Sequence, residues 1–313
     1  EVLFGAFEQP EIARGNLEGA PATNPSLHTY AILDGAKIAN LPELLDASGL
    51  EHRCLFKGAA YDELKDVAPW IVRLEDGDVF TRNLFSRSDA PWHLWDKEPG
   101  IYFRSTFGTK MLGAHFRRFV KLQGADQSWR YFRFWEPLTL QAYLSAAARR
   151  PNELCPMFYS QEAQMVSSFV CCPVPGDVTV HKIACEPLSP DNPVGPKFTQ
   201  DHERAIARAM QGRRQLEIAQ ALRKGFHQET HGLHDDELSG LVDRVVQRTS
   251  HYHIRSVRHV HIFAAWQLIY GADFEARDPT GQAQQILAAP LQEEQKMLHL
   301  KHRLNDLHSA GLL

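Results

Sequence analysis

From residue 28 onward, short apolar runs alternate with stretches whose apolar residues recur every three or four positions. Tyr30-Ala-Ile-Leu33, ending in Asp34-Gly35, predicts a buried strand and its exit turn. Leu41, Leu44 and Leu45 recur at helical spacing, and Ser48-Gly49 is a C-terminal stop. Arg53 to Phe56 reads as the next strand, Tyr61 to Val67 as a short helix and Pro69 to Leu74 as a third strand. Pro69 takes that strand's first position, where a missing N–H does least harm. A helix with Phe80, Leu84 and Phe85 follows Asp76-Gly77, then a strand over Gly100–Phe103. Met111, Leu112, His115, Phe116 and Phe119 make a helical stripe. This alternation predicts an α/β lobe: a mixed sheet with flanking helices.

A hairpin is expected next, with Phe119–Leu122 and Trp129–Trp135 as its strands. Alternation puts Trp129, Tyr131, Arg133 and Trp135 on one face and Phe132 and Phe134 on the other. Both faces are bulky, so a central strand covered on both sides is expected. Pro137 suits a first helical position, Leu140, Leu144, Ala147 and Ala148 form the buried stripe, and Arg149, Arg150 and Pro151 end that helix. Ser167–Cys172 and Val178–Ile183 are candidate strands. Pro187, Pro190, Pro193 and Pro196 then interrupt any regular element.

After Thr199 the pattern is helical. Leu238, Leu241, Val242, Val245 and Val246 fit one amphipathic face, and Ser256 is placed to cap the next helix. That helix, Val257 to Ile269, is apolar around most of its circumference, which predicts a central position. Met297, Leu300, Leu304 and Leu307 mark a last amphipathic helix. The expected organisation is an N-terminal extension (1–27), an α/β lobe (28–186), a Pro-rich linker (187–198) and a mostly α-helical lobe (199–313).

The chain has 313 residues, 43% of them hydrophobic, and a formal net charge of -4. Lys/Arg and Asp/Glu balance beyond residue 198, so the negative charge belongs to the first part. This argues against a general polyanion binder. The longest apolar run, Ile262–Ala272, is too short to cross a bilayer, and no secretory signal is expected. Cys54, Cys155, Cys171, Cys172 and Cys185 are therefore expected to be reduced thiols of a cytoplasmic protein.

Phosphate loops, dinucleotide fingerprints and nucleophile elbows are absent. His227 and His231 stand four apart, a spacing that could hold zinc on a helix, but Glu229 is not where a metalloprotease needs its base. Solvated or capping histidines are the alternative, for His234, His251, His253, His259 and His261 as well. Cys171, Cys172, His181 and Cys185 fit no structural zinc spacing. Asp235-Asp236-Glu237 suits a helix N-terminus. Asp34 is either a turn residue before Gly35 or a site residue at a strand's C-terminal end. The Trp129–Trp135 segment, with Arg130 and Arg133, is either a stacking platform for single-stranded nucleic acid or core aromatics with Arg stacked over them.

Four segments in order carry a resemblance. They are Tyr30-Ala-Ile-Leu-Asp34, Leu55-Phe56 with Gly58, Ala68-Pro69-Trp70-Ile-Val-Arg-Leu74 and Phe132-Arg133-Phe134-Trp135-Glu136-Pro137. Together they resemble the bacterial type VI secretion adaptors, or effector chaperones, first catalogued as a domain of unknown function. The last segment departs in having Glu136 where the family has Asp, which weakens helix capping there. The resemblance implies a cytoplasmic, non-enzymatic protein with no cofactor, metal or catalytic residue. Its partners would be a cognate secreted effector and the C-terminal region of the VgrG spike protein, with neither nucleic acid nor membrane involved. Under it, Asp34, Pro69, Trp70, Phe132, Arg133, Phe134, Glu136 and Pro137 are structural or partner-binding, and Arg133 and Glu136 are expected to form an ion pair. The alternatives are a histidine-dependent metalloenzyme and a single-stranded nucleic-acid binder.

Overall fold

The apolar run at Tyr30–Leu33 lies within strand β1 (His28–Asp34), and both of its faces are covered. The computed structural model describes residues 3–4, 26–124, 126–148, 150–160, 163–174, 177–182 and 195–313. The chain divides into two compact units, Glu1–Ala209 and Met210–Leu313. In the first, β1 is followed by β2 (His52–Cys54), β3 (Pro69–Leu74), β4 (Gly100–Ser105), β5 (Lys121–Gln123) and β6 (Trp129–Tyr131). Then come β7 (Tyr159–Ser160), β8 (Ala163–Gln164), β9 (Ser168–Val174) and β10 (Asp177–Lys182). Its helices are α1 (Leu41–Ser48), α2 (Ala59–Leu64), α3 (Val79–Leu84), α4 (Thr109–Val120), α5 (Pro137–Ala147) and α6 (Pro151–Phe158).

Six strands form one sheet in the order β10-β9-β4-β1-β3-β2, with every pairing antiparallel. Alternation sends Tyr30, Ile32, Ile71, Ile101, Phe103 and Phe169 to one face, where they pack with Phe116 and Phe119 of α4 and Leu140 and Leu144 of α5. Ala31, Leu33, Trp70, Val72, Tyr102 and Val170 take the other face, under Leu41 and Leu45 of α1 and Phe80 and Leu84 of α3. Burial on both sides explains why these strands read as nearly continuous apolar runs. At the start of β4 only glycine fits, because a Cβ on Gly100 would lie 2.0 Å from the Ile32 carbonyl oxygen.

Three expectations are corrected here. Met111 faces water at 53% exposure, leaving Leu112, His115, Phe116 and Phe119 as the buried stripe of α4. Trp129–Trp135 is not a central strand. Its strand ends at Tyr131, and β5–β6 is a separate hairpin paired Lys121↔Tyr131, Leu122↔Arg130 and Gln123↔Trp129. Pro151 does not merely stop α5; it stands in the first turn of α6, where its fixed φ suits helix initiation. Of the Pro-rich segment 187–198, residues 187–194 lie outside the described residues, as does most of 1–27.

Helix α7 (Gln200–Gly225) crosses the division between the units, and α8 (His227–Thr230), α9 (Asp235–His251), α10 (Val257–Tyr270), α11 (Gln282–Ala288) and α12 (Glu293–Ser309) build the second. Leu238, Val242 and Val245 of α9, Val260, Phe263 and Ala264 of α10 and Met297, Leu300, Leu304 and Leu307 of α12 share its core. In α10 Val257 and Ile269 are exposed, but Val260, Phe263, Ala264 and Ala265 are buried and Ile262, Trp266, Leu268 and Tyr270 pack partly buried against the same core, so most of its circumference is covered. No side chain of Ser256 caps α10. Glu293 of α12 does so instead, accepting from the Arg255 and Ser256 N–H groups at 3.1 and 3.0 Å. Asp278 accepts two bonds from Arg303 (2.9 and 2.6 Å) and one from the Ala283 N–H (2.9 Å), tying the start of α11 to α12. The Arg303 bonds hold its carboxyl well below the usual carboxylate range.

Candidate functional site

Asp34 ends β1 opposite Pro69 of β3, and its side chain is only 2% exposed. A carboxylate this buried needs partners for both oxygens. Oδ1 accepts from the Ala36 N–H at 3.1 Å and shapes the exit turn. Oδ2 accepts from Arg133 Nη2 at 2.6 Å. Gly35 is required beside it, because a Cβ there would meet the Ala68 and Asp66 carbonyl oxygens at 2.7 and 2.8 Å. A second ion pair, Lys37 with Glu98 at 3.5 Å, closes the same end of the sheet, where the Asp34 N–H donates to the Pro99 carbonyl. Asp34 is thus both the turn residue and the anchor of a long-range charge pair.

The Phe132–Pro137 segment explains how Arg133 gets there. The Phe132 N–H donates to the Val120 carbonyl as the last rung of the hairpin, and the chain then turns, with Glu136 N–H donating to the Arg133 carbonyl. The turn breaks the two-residue alternation. Phe132, Phe134 and Trp135 therefore all enter the core, while the Arg133 side chain stays half exposed. Phe134 stacks on Phe116 at 5.5 Å, and Phe132 meets Tyr143 of α5 at 4.9 Å. The expected Arg133–Glu136 pair is not formed, since Arg133 reaches Asp34 instead. Glu136 occupies the N-cap of α5 with no side-chain bond to the backbone, and its carboxylate accepts from the Thr139 hydroxyl at 2.9 Å. Pro137 begins α5 and is buried. Trp70 is 6% exposed and donates to the Lys65 carbonyl, on the sheet face opposite Phe132 and Phe134. The structure thus gathers Asp34, Pro69 and Arg133 at one sheet end and assigns the aromatic signature residues to two cores.

Beside Arg133 the hairpin displays what the core reading of its aromatics excluded. Trp129 and Tyr131 are 63% and 65% exposed on its outward face, with Lys121 Nζ 5.7 Å from the Tyr131 ring centroid. The inward residue Arg130 is anchored to Glu203 at 2.7 Å and Asp126 at 2.8 Å. Trp135, expected on the same face as Trp129, is buried.

Sequence spacing did not single out His202, which is fully buried with its Nε2 3.1 Å from Glu153 and its ring 4.5 Å from Tyr143. Burial lowers its pKa. Burial likewise raises the Cys54 and Cys171 thiols, which are free. Cys155 is disulfide-bonded, which corrects the all-reduced expectation, and Cys185 lies outside the described residues. His227 and His231 are exposed and α8 ends between them at Thr230, while His234 caps α9 with Glu237 in a reciprocal capping box. Among the described residues no three His, Cys, Asp or Glu side chains gather as a metal site, and no helix is long and apolar enough to cross a membrane.

Residues 29–152 match the family described as Domain of unknown function (DUF4123), a stretch of less than half the chain. That family is associated with adaptors of type VI secretion effectors. The matched stretch contains the Asp34–Arg133 pair, the β5–β6 hairpin and most of the sheet. No curated protein and no solved structure matches the chain.

Proposed function

We propose that this chain is a non-enzymatic adaptor and chaperone of the bacterial cytoplasm. It holds a secreted type VI effector and loads it onto the C-terminal region of the VgrG spike protein. The family match over residues 29–152 supports this reading. The observation that carries it is the outward face of the hairpin. Two large aromatics left in water on a short, anchored strand have the composition of a binding hot spot, because ordering them costs little further entropy when a partner covers them. In this reading the α/β lobe grips the spike's tail and the helical lobe contributes the effector-specific surface.

Co-purification of the full chain with the spike protein and with the effector tests the proposal. The double variant Trp129→Ala/Tyr131→Ala is expected to lose about tenfold or more of its capture of the spike. Its melting curve should stay within about 0.5 kcal/mol of the parent's, as surface substitutions usually do. Undiminished capture would remove the hairpin from the interface, and a parent chain that holds neither partner would overturn the adaptor reading.

A further inference from the structure

Besides its outward face, the hairpin has an open backbone edge. Only β5 pairs with β6. The Phe132 N–H donates to the Val120 carbonyl and the Gly124 N–H to the Ser128 carbonyl, which places the hydrogen-bonded rungs at Ser128, Arg130 and Phe132. Bonded and non-bonded positions alternate along an antiparallel pair. The N–H and C=O groups of Trp129 and Tyr131 therefore point away from β5, and none of them meets a protein partner among the described residues.

This edge is bare and unguarded. All three residues of β6 are exposed, and the strand has neither a proline nor a bulge. Edge strands are commonly protected against pairing, as β10 of the main sheet is by its register shift between Asp177 and Thr179. Arg130, whose charge could otherwise repel a basic or apolar newcomer, is held by Asp126 and Glu203.

The charge beside the edge selects the newcomer. Arg117 and Arg118 at the end of α4 and Lys121 at the start of β5 have no ion pair among the described residues. Arg130 and Arg133, in contrast, are matched by Asp126, Glu203 and Asp34. The uncompensated positive charge favours an occupant of opposite sign.

We propose that an extended, acidic segment of the spike protein's C-terminal region adds to the edge of β6 as a third strand. Its backbone exchanges hydrogen bonds with Trp129 and Tyr131, and its side chains lie beside their exposed rings. Main-chain pairing supplies affinity, and the two rings fix the register. The proposal rests on the adaptor reading and specifies how the hairpin holds its partner.

Backbone amide exchange, resolved to single residues, tests it on the full chain alone and with the spike protein. The Trp129 and Tyr131 amides are expected to exchange freely in the chain alone and to slow about tenfold or more in the complex. Tyr131→Ala keeps the outward N–H, whereas Tyr131→Pro removes it at a position where the hairpin's own ladder loses no bond. The proline variant should capture the spike about tenfold less than the alanine variant. If the proline variant melts lower than the alanine variant, the exchange result decides. Rising salt should weaken capture, and salt-independent capture would remove the acidic character of the segment. A complex in which both amides exchange as before overturns strand addition and leaves the adaptor reading standing, as does equal capture by two variants that melt alike. A parent chain that holds no spike protein overturns both readings. Protection that appears when the chain alone is concentrated makes a second copy the occupant and overturns the assignment to the spike.

Discussion

The sheet unit and the helical unit both bury carboxylates, but they give them different tasks. In the sheet unit the backbone ladder already fixes which strand neighbours which, so Asp34 only closes a loop, held by an Arg133 that is half in water. In the helical unit no ladder joins one helix to another. There Asp278, fully buried, holds Arg303 of α12, and Glu293 of α12 reaches back to the start of α10. Where hydrogen bonding between elements is not supplied by the backbone, buried charge supplies it. The design has a cost in both places, since each carboxylate must keep its partners.

Four experiments break or sharpen this contrast. The largest effect is expected from Phe134→Ala, which empties a fully buried ring site stacked on Phe116 and should cost about 3–5 kcal/mol in urea unfolding. A loss below about 1 kcal/mol would mean that the signature segment is not core. Next, Arg303→Met leaves Asp278 buried without its cation and should lower the urea midpoint clearly.

The third is a pH effect in the sheet unit. Burial, only partly offset by the bond to the Met157 carbonyl, lowers the His115 pKa from 6.5 to about 4. The unfolded chain therefore takes up this proton first as pH falls. Stability is intact above the ordinary histidine value and drains away between it and the lowered one, by up to about 3 kcal/mol. His115→Gln should flatten that portion of the stability–pH curve, and an unchanged slope would mean that His115 is not the group responsible. The smallest effect is Arg133→Met, about 1 kcal/mol, because a guanidinium half in water is screened and its removal lets solvent reach the Asp34 oxygen it leaves. If Arg133→Met were as damaging as Arg303→Met, the two units would not differ in the way described.

Much of the architecture was legible in the chain, for identifiable reasons. Tyr30–Leu33 and Pro69–Leu74 are short apolar runs and the Met297–Leu307 stripe keeps one helical period, and each forms the element expected of it. Trp129–Trp135 misleads because its bulky residues mimic alternation across a point where the backbone turns. Charge partners were read worst. Glu136 is Arg133's near neighbour, but the true partner, Asp34, is 99 positions away. Glu293 likewise caps a helix that begins more than thirty residues earlier. Local spacing carries no trace of such pairs. The only hint was an Asp at the end of a buried apolar run, which must find a cation or stay in water.

Trp129 also makes the molecule its own optical gauge. Of the six tryptophans Trp70 and Trp135 are buried and Trp95 and Trp266 partly so, whereas Trp129 and Trp92 stand in water at 63% and 58% exposure. With Trp92 replaced by Phe, the long-wavelength part of the emission comes chiefly from the hairpin. Anything that settles on that face shifts its colour toward the blue, with no label attached.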